Sequence, residues 1–184
     1  MAVLIVLIVL FAFLVIYGIA QYNGLVALRR QTGNAFSQID VQLKRRYDLI
    51  PNLVETVKGY MKHEQDTLTR VIEARNRAIS ATSVSDKAAA EGQLTSALNG
   101  IFALSESYPE LRSNQNMLSL QEELKSTENK IAFARQYFND IVTRYNTALE
   151  TFPSSIFANM AGMKPKDLFE IEDAVQRENV KVSF

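Results

Sequence analysis

Cysteine is absent from this 184-residue chain. Disulfides, thiolate nucleophiles, zinc–sulfur sites and a lipidated cysteine are thereby excluded. That absence does not select a compartment, since reducing and oxidising surroundings both tolerate it. Histidine occurs once, as His63, followed by Glu64. A helical zinc protease needs a second histidine four residues on, and Thr67 stands there. No helical Glu-x-x-His pair is present for a di-iron site in a bundle. Carboxylate-only metal sites stay open, but no cofactor is expected, and His63 reads as a helix-surface residue. Neither sign of charge dominates: Lys plus Arg and Asp plus Glu number 20 each. A nucleic-acid binder needs a basic face to replace phosphate counterions, so that class is not expected. The seven glycines are scattered singly, without the spacing of a phosphate-binding loop. No serine sits in a nucleophile elbow, and Glu122 with Glu123 reads as a solvated helix face. Seven glycines and four prolines are few for this length, which points to long helices.

What is present begins with an anchor. Residues 2–20 are uncharged and rich in Leu, Ile and Val, and the first charged side chain is Arg29. At the helical rise such a run spans roughly 30 Å, about the hydrocarbon thickness of a bilayer. Tyr17 and Tyr22 fall where an aromatic belt would lie. The rival reading is a cleaved signal peptide, because Gly18-Ile19-Ala20 resembles a small-x-small cleavage site. Against it, no Lys or Arg precedes the run, and the run is long for a signal segment. The cations Arg29, Arg30, Lys44, Arg45 and Arg46 all come after the span. The positive-inside rule then puts the N-terminus outside and the remaining chain in the cytoplasm, with a periplasmic domain as the alternative.

Beyond the anchor, apolar residues recur every three or four positions. Leu25, Leu28, Thr32, Ala35, Ile39 and Leu43 define a helix over residues 22–47. Asp48 reads as the N-cap of a second helix over 49–81, with Pro51 in its first turn and Leu53, Val57, Tyr60, Leu68, Val71 and Ala78 on its inner face. After a polar connection at 82–85, with Ser85 as N-cap, a third helix over 86–108 carries Leu94, Ala97, Ile101, Leu104 and Tyr108. Pro109 ends or bends it. Asn114 caps a fourth helix over 115–152. Met117, Leu120, Leu124, Thr127, Ile131, Ala134, Phe138, Ile141, Tyr145, Ala148 and Phe152 form its seam, and Pro153 closes it. The expected fold is all-α: a transmembrane helix over 1–21 continuing into an elongated antiparallel four-helix bundle over 22–153. A short C-terminal helix and an extended tail occupy 154–184. A two-stranded coiled coil would give a similar seam, but the short connections favour the bundle.

Lys44, Arg45 and Arg46 sit near the expected end of the first helix, where cations complement the macrodipole. Contact with anionic lipid is the weaker reading, because the cluster would lie roughly 35 Å beyond Ala20 on a straight helix. Ala20 and Gly24 form a small-xxx-small pair suited to packing two anchors. At the other end, Val182 and Phe184 project to one face of an extended segment, two residues apart. They suit docking as an added strand in a carboxylate-capturing groove, against the plainer reading that Phe184 packs on the bundle.

The stretch from Ala35-Phe36-Ser37-Gln38-Ile39-Asp40 through Lys44-Arg45-Arg46-Tyr47-Asp48-Leu49-Ile50-Pro51-Asn52-Leu53-Val54-Glu55 to Gly59-Tyr60 resembles the signature of the bacterial LemA family. Tyr22-Asn23 with Leu25, Val26, Leu28 and Arg29 fits the family opening. Arg75-Asn76, Ala134-Arg135-Gln136-Tyr137-Phe138-Asn139, Tyr145-Asn146 and Phe152-Pro153 fit later blocks. Phe36 stands where the family usually shows Trp, and the tail lacks a Pro often found there. The resemblance implies one N-terminal membrane helix, an elongated helical bundle, no established enzymatic activity and no catalytic residues to carry over. It also implies links to membrane organisation and to membrane proteases. The expected function is therefore a scaffold or adaptor at the bacterial inner membrane, with other proteins, the bilayer and a second copy of the chain as candidate partners. A sensor or regulator, for example of a membrane protease, is the alternative.

Overall fold

The computed structural model describes residues 1–61 and 63–170, and these contain six helices and no strand. The helices are α1 (Ala2–Lys58), α2 (Gln65–Ser80), α3 (Val84–Ser105), α4 (Pro109–Arg112), α5 (Gln115–Glu150) and α6 (Ser154–Met160). The all-α class expected from the sequence is what the chain forms. The tail with Val182 and Phe184 lies outside the described residues.

The chain divides into two compact units. The first comprises Met1–Gln38 and Ala134–Leu168, and the second is built on Ile39–Phe133, joined by Phe169. In the first unit the apolar run over 2–20 is exposed throughout except at Gly18. Packing starts at Leu25 and continues through Thr32 and Ala35. From α5 the buried side chains here are Phe138, Ile141, Val142 and Tyr145, and Phe36 tilts against Phe138 with ring centroids 5.6 Å apart. Such aromatic pairs add about 0.5–1.5 kcal/mol beyond the area they bury. The unit closes at α6, whose end is a Schellman-type turn. Gly162 takes φ +62, and the Met163 amide donates to the Ala158 carbonyl at 3.0 Å.

In the second unit α1 and α5 run antiparallel. Arg46 meets Glu128 and Tyr60 meets Asn114, so each step forward on one helix matches an equal step back on the other. The inner face of α1 carries Ile39, Leu43, Tyr47, Ile50, Leu53, Val54 and Val57. α2 contributes Leu68, Val71, Ala74 and Ala78, and α3 contributes Ala88, Leu94, Leu98 and Ile101. The connection between α2 and α3 is set by Ser83, whose hydroxyl accepts from the Asp86 amide at 3.0 Å and donates to the Asp86 carboxylate at 2.6 Å. This cap satisfies one of the free amides in the first turn of α3. Asn114 caps α5 as expected, its Oδ1 accepting from the amides of Asn116 and Met117 at 2.9 and 3.1 Å.

Several boundaries differ from the sequence reading. The expected break at Tyr47–Asp48 does not exist: α1 continues through Pro51 to Lys58. The apolar spacing keeps its phase across this region, so burial favours one helix, while Asp48 faces outward. Pro51 has no N–H for the Tyr47 carbonyl four residues back, a loss that ordinarily breaks a helix. Here Arg75 Nε donates to that carbonyl at 2.8 Å and takes the missing place. The chain instead leaves the helix at Gly59 and re-enters at Gln65, which puts His63 in an exposed connection rather than on a helix. The cap of α3 is Ser83, not Ser85, because Ser83 has Asp86 three residues on to reciprocate. In α3 the seam holds Leu98, and Ala97 and Leu104 are only half-buried; the helix ends at Ser105, so Tyr108 lies beyond it, also half-buried. Periodicity puts Phe152 in the seam of the fourth helix, but α5 ends at Glu150 and Phe152 is exposed.

Candidate functional site

The second unit encloses a polar cluster in its helical core. Arg46 comes from the inner face of α1 and Glu91 from that of α3, where the seam spacing places an inward-facing position. Arg46 Nη1 donates to Glu91 Oε2 at 3.0 Å, and Nη2 donates to Thr95 Oγ1 at 2.8 Å. The same Nη2 lies 3.0 Å from Glu128 Oε2 of α5. The Tyr47 hydroxyl donates to the other Glu91 oxygen, Oε1. Glu91 is only 1% exposed. One guanidinium thus ties three helices, with both oxygens of the buried carboxylate satisfied. Nearer the surface, Lys87 Nζ pairs with Asp40 Oδ1 at 2.7 Å.

Burial pushes the Glu91 carboxyl above its ordinary range, against the lowering pull of the Tyr47 hydrogen bond and the Arg46 charge. Burial, then the hydrogen bond to Glu91, pushes the Tyr47 phenol well above its ordinary value. A recess of about 240 Å³ opens beside Arg46, bordered by Thr95, Asn99, Gln121, Glu128 and Asn129. That is below the usual size of a small-molecule site. The charges in the cluster are spent on one another. Their chemical effect is to fix which faces of α1, α3 and α5 meet.

This overturns the plain reading of the basic run at 44–46. Lys44 and Arg45 are exposed, and Arg45 makes only a loose 3.8 Å pair with Glu123. Arg46 turns inward, far from any helix end. Sequence reasoning misses Glu91 and Thr95. The one usable signal is that Glu91 falls three residues before Leu94 and seven before Leu98, in phase with the seam.

In the first unit the segment after α6 is clasped by side chains of the family-like blocks. Asn146 Nδ2 donates to the Lys166 carbonyl and Asn146 Oδ1 accepts from the Lys166 amide, both at 2.9 Å. The Tyr145 hydroxyl donates to the Lys164 carbonyl at 3.1 Å. Lys166 Nζ donates to Thr32 Oγ1 at 2.6 Å, and Thr32 donates onward to the Arg29 carbonyl at 2.7 Å. Burial lowers the Lys166 pKa, and the nearby Arg29 charge lowers it further.

Of the other expected site residues, Ala20 and Gly24 are both exposed, and a Cβ added at Gly24 would meet nothing within 4 Å. Glu122 and Glu123 are exposed, as a solvated face would be. Among the described residues no three His, Asp or Glu side chains gather in a way that could hold a metal ion.

Several residues that carried the resemblance thus have structural assignments: Arg46 and Tyr47 in the buried cluster, Arg75 on the Tyr47 carbonyl, and Tyr145 and Asn146 at the clasp. Comparison with known proteins bears on the family resemblance itself. The protein LemA of Metamycoplasma hominis is 24% identical over 169 residues, covering 90% of this chain and 75% of that protein. The magnetosome protein MamQ of Magnetospirillum gryphiswaldense is 23% identical over 180 residues, covering 84% of this chain and 66% of that protein. The chain therefore spans about two thirds to three quarters of the curated relatives it matches. The model of the LemA family matches residues 35–184, most of the chain, and the chain belongs to that family.

Proposed function

We propose that this chain is a non-enzymatic scaffold or adaptor, anchored by residues 2–20 in the bacterial inner membrane and acting through protein–protein contacts. The observation that carries this reading is the change of surroundings along α1. Its first 19 residues are apolar and bare, a length that crosses a bilayer, and buried positions recur from Leu25 onward. Self-assembly is supported by a second feature. In the antiparallel register of the second unit, Val41 of α1 stands opposite Phe133 of α5, and both are exposed, Phe133 to 74%. Large apolar side chains left bare at one level suit a protein contact. Ala20 and Gly24, bare at the border of the span, suit close packing of two anchors. The helical domain lies in the cytoplasm and the N-terminus outside, on the positive-inside asymmetry.

The full chain should resist alkaline extraction from membranes, and a variant lacking residues 2–20 should be released. A cytoplasm-active reporter fused after Phe184 should be active and an export-dependent one silent. Release of the full chain would remove the anchor from the account, and the opposite reporter pattern would reverse the orientation.

A specific observation favours the second reading, a sensor or regulator such as one acting on a membrane protease. The hydroxyl of Thr127 is buried in the α5 seam without a hydrogen-bond partner among the described residues, next in sequence to Glu128, the half-exposed partner of the buried Arg46. Buried polar groups left unsatisfied lower the cost of an alternative packing. Two helix registers of comparable stability, seen as exchange at Thr127, would support regulation over a static scaffold.

A further inference from the structure

The first unit contains a short helix, α6, that leaves part of its apolar surface bare. Residues 151–163 carry no charged side chain, the flanking charges being Glu150 and Lys164. Phe152 is 77% exposed, Ile156 49% and Met160 81%. Ile156 and Met160 stand one turn apart on α6 and share a face. Left in water, such side chains would forfeit a favourable burial that apolar surface ordinarily finds.

The position of α6 says what covers them. A Cβ added at Gly18 would lie 2.9 Å from Phe157 Cε1, so the Phe157 ring rests directly on the α1 backbone at that glycine. Gly18 lies two residues before the end of the uncharged 2–20 run, between Tyr17 and Tyr22, which are exposed and placed as an aromatic belt. α6 is therefore fixed to the anchor at the level where the anchor meets the membrane surface. Tight turns on both sides, the Ser154 hydroxyl donating to the Ala148 carbonyl at 2.7 Å and the glycine turn after Met160, keep the segment short and compact.

We propose that α6 and the turn before it form a membrane foot: Phe152, Ile156 and Met160 enter the headgroup–acyl boundary of the bilayer beside the anchor. The occupant of this bare face is lipid. Such an interfacial helix needs apolar side chains on one face and a fixed depth, and the anchor supplies the depth. Two points of attachment, one spanning and one lying in the interface, hold the first unit at a set tilt instead of leaving it on a single swivel. The inference rests on the reading of residues 2–20 as a membrane span.

Because the chain has no native cysteine, single-cysteine variants give clean probes. Ile8→Cys, Ile156→Cys, Met160→Cys and Glu122→Cys in the full chain would be labelled with an environment-sensitive fluorophore and reconstituted into vesicles of zwitterionic phospholipid. Brominated lipids then report depth by quenching. Ile8 should be strongly quenched, Ile156 and Met160 intermediate with blue-shifted emission, and Glu122 unquenched. Quenching at Ile8 with none at Ile156 and Met160 overturns the foot and leaves the anchor standing; excimer formation or protein-concentration-dependent protection at those positions would then assign the face to a second copy. No quenching at Ile8 removes anchor and foot together. Equal quenching at Glu122 and Met160 means the domain lies flat on lipid, which also overturns a foot confined to α6 and the turn before it.

Discussion

Removing Arg75 should destabilise the protein, and removing Pro51 as well should take most of that effect away. The Tyr47 carbonyl lies inside α1, and the residue four positions on is Pro51, which has no N–H to give it. Arg75 Nε, from α2, donates at 2.8 Å instead. Arg75→Met keeps the aliphatic stem and deletes the donor. A buried acceptor left without a partner costs about 1–3 kcal/mol. For a chain of this size each kcal/mol shifts the midpoint by roughly 2–4 °C, so the melting point should fall by about 2–12 °C. Pro51→Ala restores an N–H in the ordinary helical position and removes the ring's clash with the same carbonyl. It should be neutral or stabilising alone. In the Pro51→Ala background, Arg75→Met should cost less by about 1 kcal/mol or more, a coupling typical of groups that share a partner. Thermal unfolding of the full chain in detergent, monitored by far-ultraviolet circular dichroism, measures all four corners of the cycle. An equal loss in both backgrounds, or no loss in either, would refute the idea that α2 repairs the proline position of α1.

Glu91→Ala strips a buried guanidinium of its best partner and should cost about 3–5 kcal/mol, whereas Arg46→Met with Glu91→Met should recover much of it; a double variant as unstable as the sum of the single ones contradicts this. Ile131→Ala and Phe138→Ala should cost about 2–5 and 3–5 kcal/mol in the same melts, with Lys125→Ala near neutral, and equal effects would misplace the α5 seam. Glu128→Ala is not a neutral control, because that carboxylate pairs with Arg46. Lys166 should titrate below the ordinary lysine range by carbon-13 NMR, and Arg29→Ala should raise it only part of the way, since burial is the larger cause. With the folded pKa lowered, charging Lys166 disfavours the fold at neutral pH, and that penalty fades as pH rises toward the ordinary lysine range.

Sequence periodicity locates the apolar faces well where they are made of aliphatic residues. Ile39, Leu43, Leu53, Val57, Leu68, Val71, Leu94, Ile101 and much of the α5 seam from Met117 to Tyr145 are legible because burial repeats with the helical turn. The helix break is misleading because Asp48 and Pro51 are local start signals, while the continuation of α1 depends on Arg75, distant in sequence. Local chemistry is outvoted when a tertiary contact supplies the missing donor. Glu91 and Arg46 look like surface residues because charged side chains almost never enter a core unpaired. Only the pairing across helices makes them interior, and no local window contains both partners. Phe152 shows the opposite error: an aromatic at seam spacing that the end of α5 turns outward.

Whether this family member works by contact with other protein chains is tested most directly by a photoreactive phenylalanine analogue at Phe133, irradiated in intact membranes, with Glu122 as the matched exposed control. Defined protein adducts at Phe133, including a dimer of the chain, and none at Glu122 are the result expected of a scaffold or adaptor. A fully inserted, folded protein that yields no protein adduct from Phe133 would contradict that function.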